Sequence, residues 1–152
     1  MWLHCGKSQI GVADMIERIV VLPVSREDLW TALTDPAEIG EWFGADIDWE
    51  LQPGGLVHGR DDDGGLRDGY ISAVEEGRLL RFSWWPRDDR SQASEVTYRL
   101  EPDAEGSQLT VTERPLVANA SASNQRNAHR WTTWDDRVLR VFAVTCRVAV
   151  RT

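Results

Sequence analysis

The stretch Val24-Ser-Arg-Glu-Asp-Leu-Trp-Thr-Ala-Leu-Thr-Asp-Pro-Ala-Glu-Ile-Gly-Glu-Trp-Phe43 decides the fold, because it encodes two short, separately capped helices. Ser25 is placed to accept a hydrogen bond from the backbone N–H near Asp28, and Asp35 to do the same near Glu38. Pro36 already holds helical φ in the first turn of the second helix. Leu29, Trp30 and Leu33 fall at helical spacing, as do Ile39, Trp42 and Phe43. Each helix therefore offers one apolar face to something concave.

Upstream, the apolar run Ile16 to Leu22 predicts a first strand. Residues 1–14 show no period and read as a loose lead-in, so a chain starting at Met15 is expected to suffice for folding. Downstream, Ile47, Trp49 and Leu51 alternate with Asp46, Asp48 and Glu50, the pattern of a strand with one wet face. Turn signals then recur at Pro53-Gly54-Gly55, Asp63-Gly64-Gly65, Glu76-Gly77 and Glu105-Gly106, and their spacing predicts an antiparallel meander. Leu80, Phe82 and Trp84 share one face of a strand, Val96, Tyr98 and Leu100 one face of the next, and Leu109 and Val111 one face of the last. Pro86 to Ser91 forms a polar connection. From Pro115 to Asn127 the chain is rich in Ala, Ser and Asn, which predicts a surface loop able to act as a flap. Beyond it Trp131, Trp134, Val138, Val141, Phe142 and Thr145 recur at steps of three and four, predicting a long amphipathic helix with Asp135, Arg137, Arg140 and Arg147 on its wet side. The expected organisation is the lead-in followed by one domain over residues 15–152.

Composition narrows the function. At 152 residues and 41% hydrophobic content the chain suits one sizeable core. A net charge of -8, with Lys7 the only lysine, disfavours nucleic-acid phosphates and anionic membrane surfaces. Cys5 and Cys146 lie far apart with no metal-type spacing, which fits a reducing cytoplasm. The first residues hold no apolar run of signal-peptide length, and no segment approaches the roughly 20 apolar residues of a membrane span, so no membrane insertion is expected. His4, His58 and His129 are too scattered for a metal triad. Asp61-Asp62-Asp63-Gly64-Gly65 lacks the alternating ligands of a calcium loop, and Ser72 stands where the closing glutamate would be. A nucleophile elbow, a phosphate-cradling glycine loop and a dinucleotide fingerprint are all missing from the sequence. Neither a metal nor a cofactor is expected.

Tryptophan is the outlier, with 8 residues against 3 Phe and 2 Tyr. Burying one indole removes roughly 150–250 Å² from water, worth on the order of 4–6 kcal/mol gross, so these side chains belong in a core or around a cavity.

The order strand, two short helices, meander, long helix resembles the helix-grip, or START-like (SRPBCC), α+β fold: a curved antiparallel sheet wrapped around a long C-terminal helix. The likeness is carried by Leu29-Trp30-Thr31-Ala32-Leu33-Thr34-Asp35-Pro36 with Trp42-Phe43, by Gly54-Gly55 and Gly69, by Arg78 to Trp84, and by Leu109-Thr110-Val111-Thr112. These place it nearest the branch named after the activator of heat-shock chaperone ATPase. The turn around Gly54 departs from that branch in lacking a neighbouring Arg or Lys. The resemblance implies an apolar cavity between sheet and helix, gated by the short helices. It also implies uptake of hydrophobic small molecules or lipids, with polyketide cyclisation or dehydration in some relatives.

The residues expected to line such a cavity are Trp30, Trp42, Trp49, Phe82, Trp84, Tyr98, Glu113, Trp131, Trp134 and Val138, though each aromatic equally fits ordinary core. Glu113 follows Leu109 and Val111 at period two, which turns its carboxylate inward, where burial would raise its pKa. Alternatively the strand ends before it, or Arg114 or Arg130 pairs with it at the rim. Three functions follow as expectations: a cytoplasmic protein binding a small hydrophobic or aromatic molecule, an enzyme using Glu113 and Tyr98 for proton transfer, or a chaperone-associated module or homodimer anchored by exposed Trp.

Overall fold

The structure, a computed structural model, describes residues 15–43, 45–61 and 64–116. The lead-in, the loop beyond Leu116 and the long helix expected from about Asn127 lie outside the described residues, and with them Trp131, Trp134, Val138 and Arg130. The elements run β1 (Ile16–Leu22), α1 (Arg26–Thr34), α2 (Pro36–Phe43), β2 (Ala45–Trp49), β3 (Leu56–Asp61), β4 (Leu66–Glu75), β5 (Leu79–Pro86), β6 (Ser94–Asp103) and β7 (Gly106–Pro115). The seven strands form one antiparallel curved sheet in the order β1-β7-β6-β5-β4-β3-β2. Because β1 and β2 are its two edges, α1 and α2 carry the chain from one edge to the other.

The helices start where their caps require. Ser25 Oγ accepts from the Asp28 N–H at 3.1 Å, and Asp35 Oδ1 accepts from the Ala37 N–H at 2.9 Å, one residue earlier than expected. The Asp35 N–H also bonds Thr31 O at 2.9 Å, so one residue closes α1 and opens α2. A carbonyl at the end of α1, that of Thr34, accepts from Trp49 Nε1 at 2.9 Å, which ties α1 to β2. Leu29, Leu33 and Ile39 are fully buried in one core with Leu22, Ile71, Leu80 and Leu109 of the sheet. The backbone of α2 contains Trp42, whose side chain lies outside the described residues.

All four glycine turns close hairpins, and Gly54, Gly64, Gly77 and Gly106 hold positive φ. Gly55 is constrained differently: a Cβ there would lie 2.0 Å from the Glu50 carbonyl oxygen. Its carbonyl accepts from the Ile71 N–H, while the Gly54 N–H bonds Ile71 O, each at 2.8 Å, so the β2–β3 turn is laced onto β4. That turn begins at Glu50, so Leu51 does not extend the strand as the alternation predicted; it is exposed.

On the outer side of β3, β4 and β5, Asp68 takes a bidentate pair from Arg87, Nε and Nη2 each at 2.9 Å, and meets His58 Nδ1 at 3.0 Å. The Arg87 hydrogen bonds first, and His58 second, hold the Asp68 carboxyl at about 2 rather than 3.8.

Two outcomes follow. Gly55→Ala should cost roughly 2–3 kcal/mol in urea unfolding, whereas Gly64→Ala, which meets open space and only the left-handed backbone penalty, should cost about 1 kcal/mol. The Asp68 stabilisation is present above about pH 4 and disappears as the pH falls toward 2, because the folded state depresses this pKa. The stability difference between wild type and Asp68→Asn should therefore shrink over that interval, and should be modest throughout because the pair is open to water.

Candidate functional site

Side chains alternate across a strand, so one face of the sheet collects every second residue. On the inner face the ring of Phe82 is the centre of an aromatic group. It meets Trp49, Trp84 and Tyr98 edge to face, with ring centroids 5.5, 5.4 and 5.7 Å away. Trp30 of α1 is buried in the same core. Five of the aromatic residues singled out from the sequence thus share one side of the sheet.

Glu113 lies inside, as its phase predicted, with only 5% of its surface exposed. Strand pairing sets it opposite Val96, whose other partner is Phe82. The Ser94 hydroxyl, two residues from Val96 on the same face, donates to Glu113 Oε1 at 2.5 Å. The alternative pairing with Arg114 is not adopted. Arg114 points to the opposite face and binds Glu95, Nη2 to Oε1 at 2.9 Å, because adjacent residues on a strand alternate in side. Tyr98 is a diagonal neighbour of Glu113 and is wholly buried. Burial, and then the Glu113 charge, push the phenol well above its ordinary pKa of 10.0, so it stands as a neutral hydrogen-bond donor.

Three features escaped the sequence reading. Arg67 on β4 is 1% exposed, with its guanidinium carbon 4.7 Å from the centroid of the Trp84 ring. Its phase with Ile71, four residues on, was the available signal, and an arginine at that phase reads by default as a surface residue. Ser94 gave no signal, since its importance lies in a partner on another strand. Trp85 sits on the outer face, partly covered by Arg90 with the guanidinium carbon 4.4 Å from the ring centroid, so not every indole turns inward. Chemically, the inner face offers flat apolar walls and one cluster of hydroxyl, phenol and carboxylate able to orient a polar group. Among the described residues no three His, Cys, Asp or Glu side chains converge as a metal site, and no helix is long and apolar enough to cross a membrane.

Comparisons with known proteins agree with this architecture. Among solved structures, protein MLL2253 from Mesorhizobium loti superposes with a TM-score of 0.74 at 22% identity, covering 89% of this chain and 98% of its own. CalU16 from Micromonospora echinospora gives 0.66 at 20% identity over 90% of this chain and 78% of its own. DynU16, a protein in the dynemicin biosynthetic locus, gives 0.72 at 21% identity over 90% of this chain and 48% of its own. At these identities the likeness is one of fold. No curated protein matches. The family model described as activator of Hsp90 ATPase homolog 1-like protein matches residues 23–140, which span both capped helices and the whole meander, and the chain belongs to that family.

Proposed function

We propose that the protein binds a small hydrophobic molecule, aromatic or acyl in character, against the inner face of its sheet, in keeping with a cytoplasmic carrier or sensor. The observation that carries this reading is the Ser94–Glu113 pair beside Tyr98 in a wall built mainly of aromatic and aliphatic groups. An aliphatic side chain at position 113 would pack there without desolvating a carboxylate, whose removal from water costs several kcal/mol unless it is bonded. Polar groups kept in an apolar wall at that cost are the usual means by which a pocket selects one orientation of its guest. Phe82 and its three edge-to-face neighbours supply the flat contact surface.

The adjacency of Glu113 and Tyr98 favours a second reading, an enzyme of the cyclase or dehydratase kind. In that role the carboxylate accepts a proton from the substrate, and the phenol, held neutral, donates to an oxygen on which charge develops. The occurrence of DynU16 in a biosynthetic locus supports considering this chemistry on the shared fold.

Titration with 2-naphthol and naphthalene, followed by intrinsic tryptophan fluorescence, tests the binding reading. Saturable binding is expected for both, tighter for 2-naphthol because its hydroxyl can donate to Glu113. Glu113→Gln should erase about tenfold of that preference while leaving naphthalene unchanged, the scale of one hydrogen bond to a charged group. Absence of saturable binding by either compound would overturn the proposal.

A further inference from the structure

The outer face of the same sheet carries a second concavity, independent of the inner wall. Outward positions of β5, β6, β7 and β1 bound a groove of about 410 Å³. Strand register sets its floor: Arg81 stands opposite Thr97, Thr97 opposite Thr112, and Thr112 opposite Glu17. In the neighbouring row Arg99 faces Thr110. Rows on one face are about 6.6–6.8 Å apart along a strand and strands about 4.8 Å apart, so Arg81 and Arg99 stand diagonally over a bed of threonine hydroxyls.

The two arginines differ from the third one lining the groove. Arg114 is neutralised by Glu95, with Nε–Oε1 at 3.0 Å and Nη2–Oε1 at 2.9 Å. Among the described residues Arg81 donates only Nε, to Thr97 Oγ1 at 3.3 Å, and the Arg99 side chain forms no ion pair or hydrogen bond. Among the described residues neither guanidinium has a carboxylate within ion-pair distance, and the three lining arginines outnumber the two lining carboxylates, Glu17 and Glu95, so the groove is locally positive in a protein of net charge -8. Planar nitrogen forks flanked by hydroxyl donors fit a group with several acceptor oxygens and more than one negative charge.

We propose that this groove binds the phosphomonoester group of a small molecule, held between Arg81 and Arg99 over the threonine floor. A groove of 410 Å³ exceeds a phosphoryl group alone, and Glu17 on its far side is placed to accept a hydroxyl hydrogen from the rest of the ligand. The phosphomonoester reaches the groove either on a free metabolite or as a lipid headgroup.

The test is titration of the full chain with inorganic phosphate and with glycerol 3-phosphate in chloride buffer, read by amide ¹H–¹⁵N shifts of Thr97, Thr110 and Thr112. Saturable shifts are expected, tighter for glycerol 3-phosphate. The double variant Arg81→Gln, Arg99→Gln should bind at least about tenfold more weakly with an unchanged circular dichroism spectrum, and Glu95→Gln, which releases Arg114, should bind a few-fold more tightly. Co-sedimentation with phosphatidic acid vesicles that is lost in the double variant assigns the lipid source, and its absence beside saturable glycerol 3-phosphate binding assigns the soluble one. Shifts that stay linear with concentration, or a double variant within twofold of wild type, would overturn the proposal.

Discussion

The close approach of β5, which carries Trp84, to the bare backbone of β4 is the constraint on which the inner face depends. A Cβ at Gly59 would lie 3.8 Å from Trp84 Cζ3, and one at Gly69 would lie 2.9 Å from both Trp84 Cα and Cβ and 2.1 Å from Ser83 O. Bare backbone at Gly69 on β4 thus lets β5 approach closely, while the Trp84 ring comes within van der Waals reach of Gly59 on β3. Arg67 covers the ring, and the edge of Trp84 in turn meets Phe82. Phe82 meets Trp49 and Tyr98 as well, so the rings from Trp49 to Tyr98 form one connected set of contacts on the inner face.

A sheet with this core can serve two purposes because its faces are chemically unrelated. Inward residues of β5 to β7 read Leu80, Phe82, Trp84, Tyr98, Val111 and Glu113; outward residues of the same strands read Arg81, Thr97, Arg99, Thr110 and Thr112. The pleat keeps the two sets apart, and a slip of one residue would exchange them. The hairpin turns at Gly77 and Gly106 set that register, and Gly106 is held by a backbone approach in which any Cβ would meet Leu22 O at 2.2 Å. Stability and the placement of functional groups therefore depend on the same turns.

The legibility of the fold follows the same logic. β1 is legible as an apolar run, and β5 to β7 are legible because most of their inner positions are apolar and glycine turns at Gly77 and Gly106 separate them. β3 and β4 announce themselves poorly: their inner positions include Gly59, Arg67 and Gly69, which break the apolar alternation, Gly69 because the β5 backbone leaves no room for a Cβ. Leu51 was misassigned because period-two alternation runs past the point where the backbone of Glu50 turns. Within the candidate site, Phe82, Trp84, Tyr98 and Glu113 were visible by phase, whereas Ser94 and Arg67 were not, since a polar residue shows its role only through what it touches.

The sequence by itself determined where both helices begin, where the hairpins reverse and which family the chain resembles. Caps, proline and glycine act over a few residues, and Ser25 needs nothing beyond Asp28. Only the tertiary structure decided that Ser94 meets Glu113 across 19 positions, that Ser107 bonds the Val24 carbonyl across 83, and that Arg114 turns away from the site. Those contacts depend on strand order and register, which arise from the packing of the whole sheet rather than from any local preference.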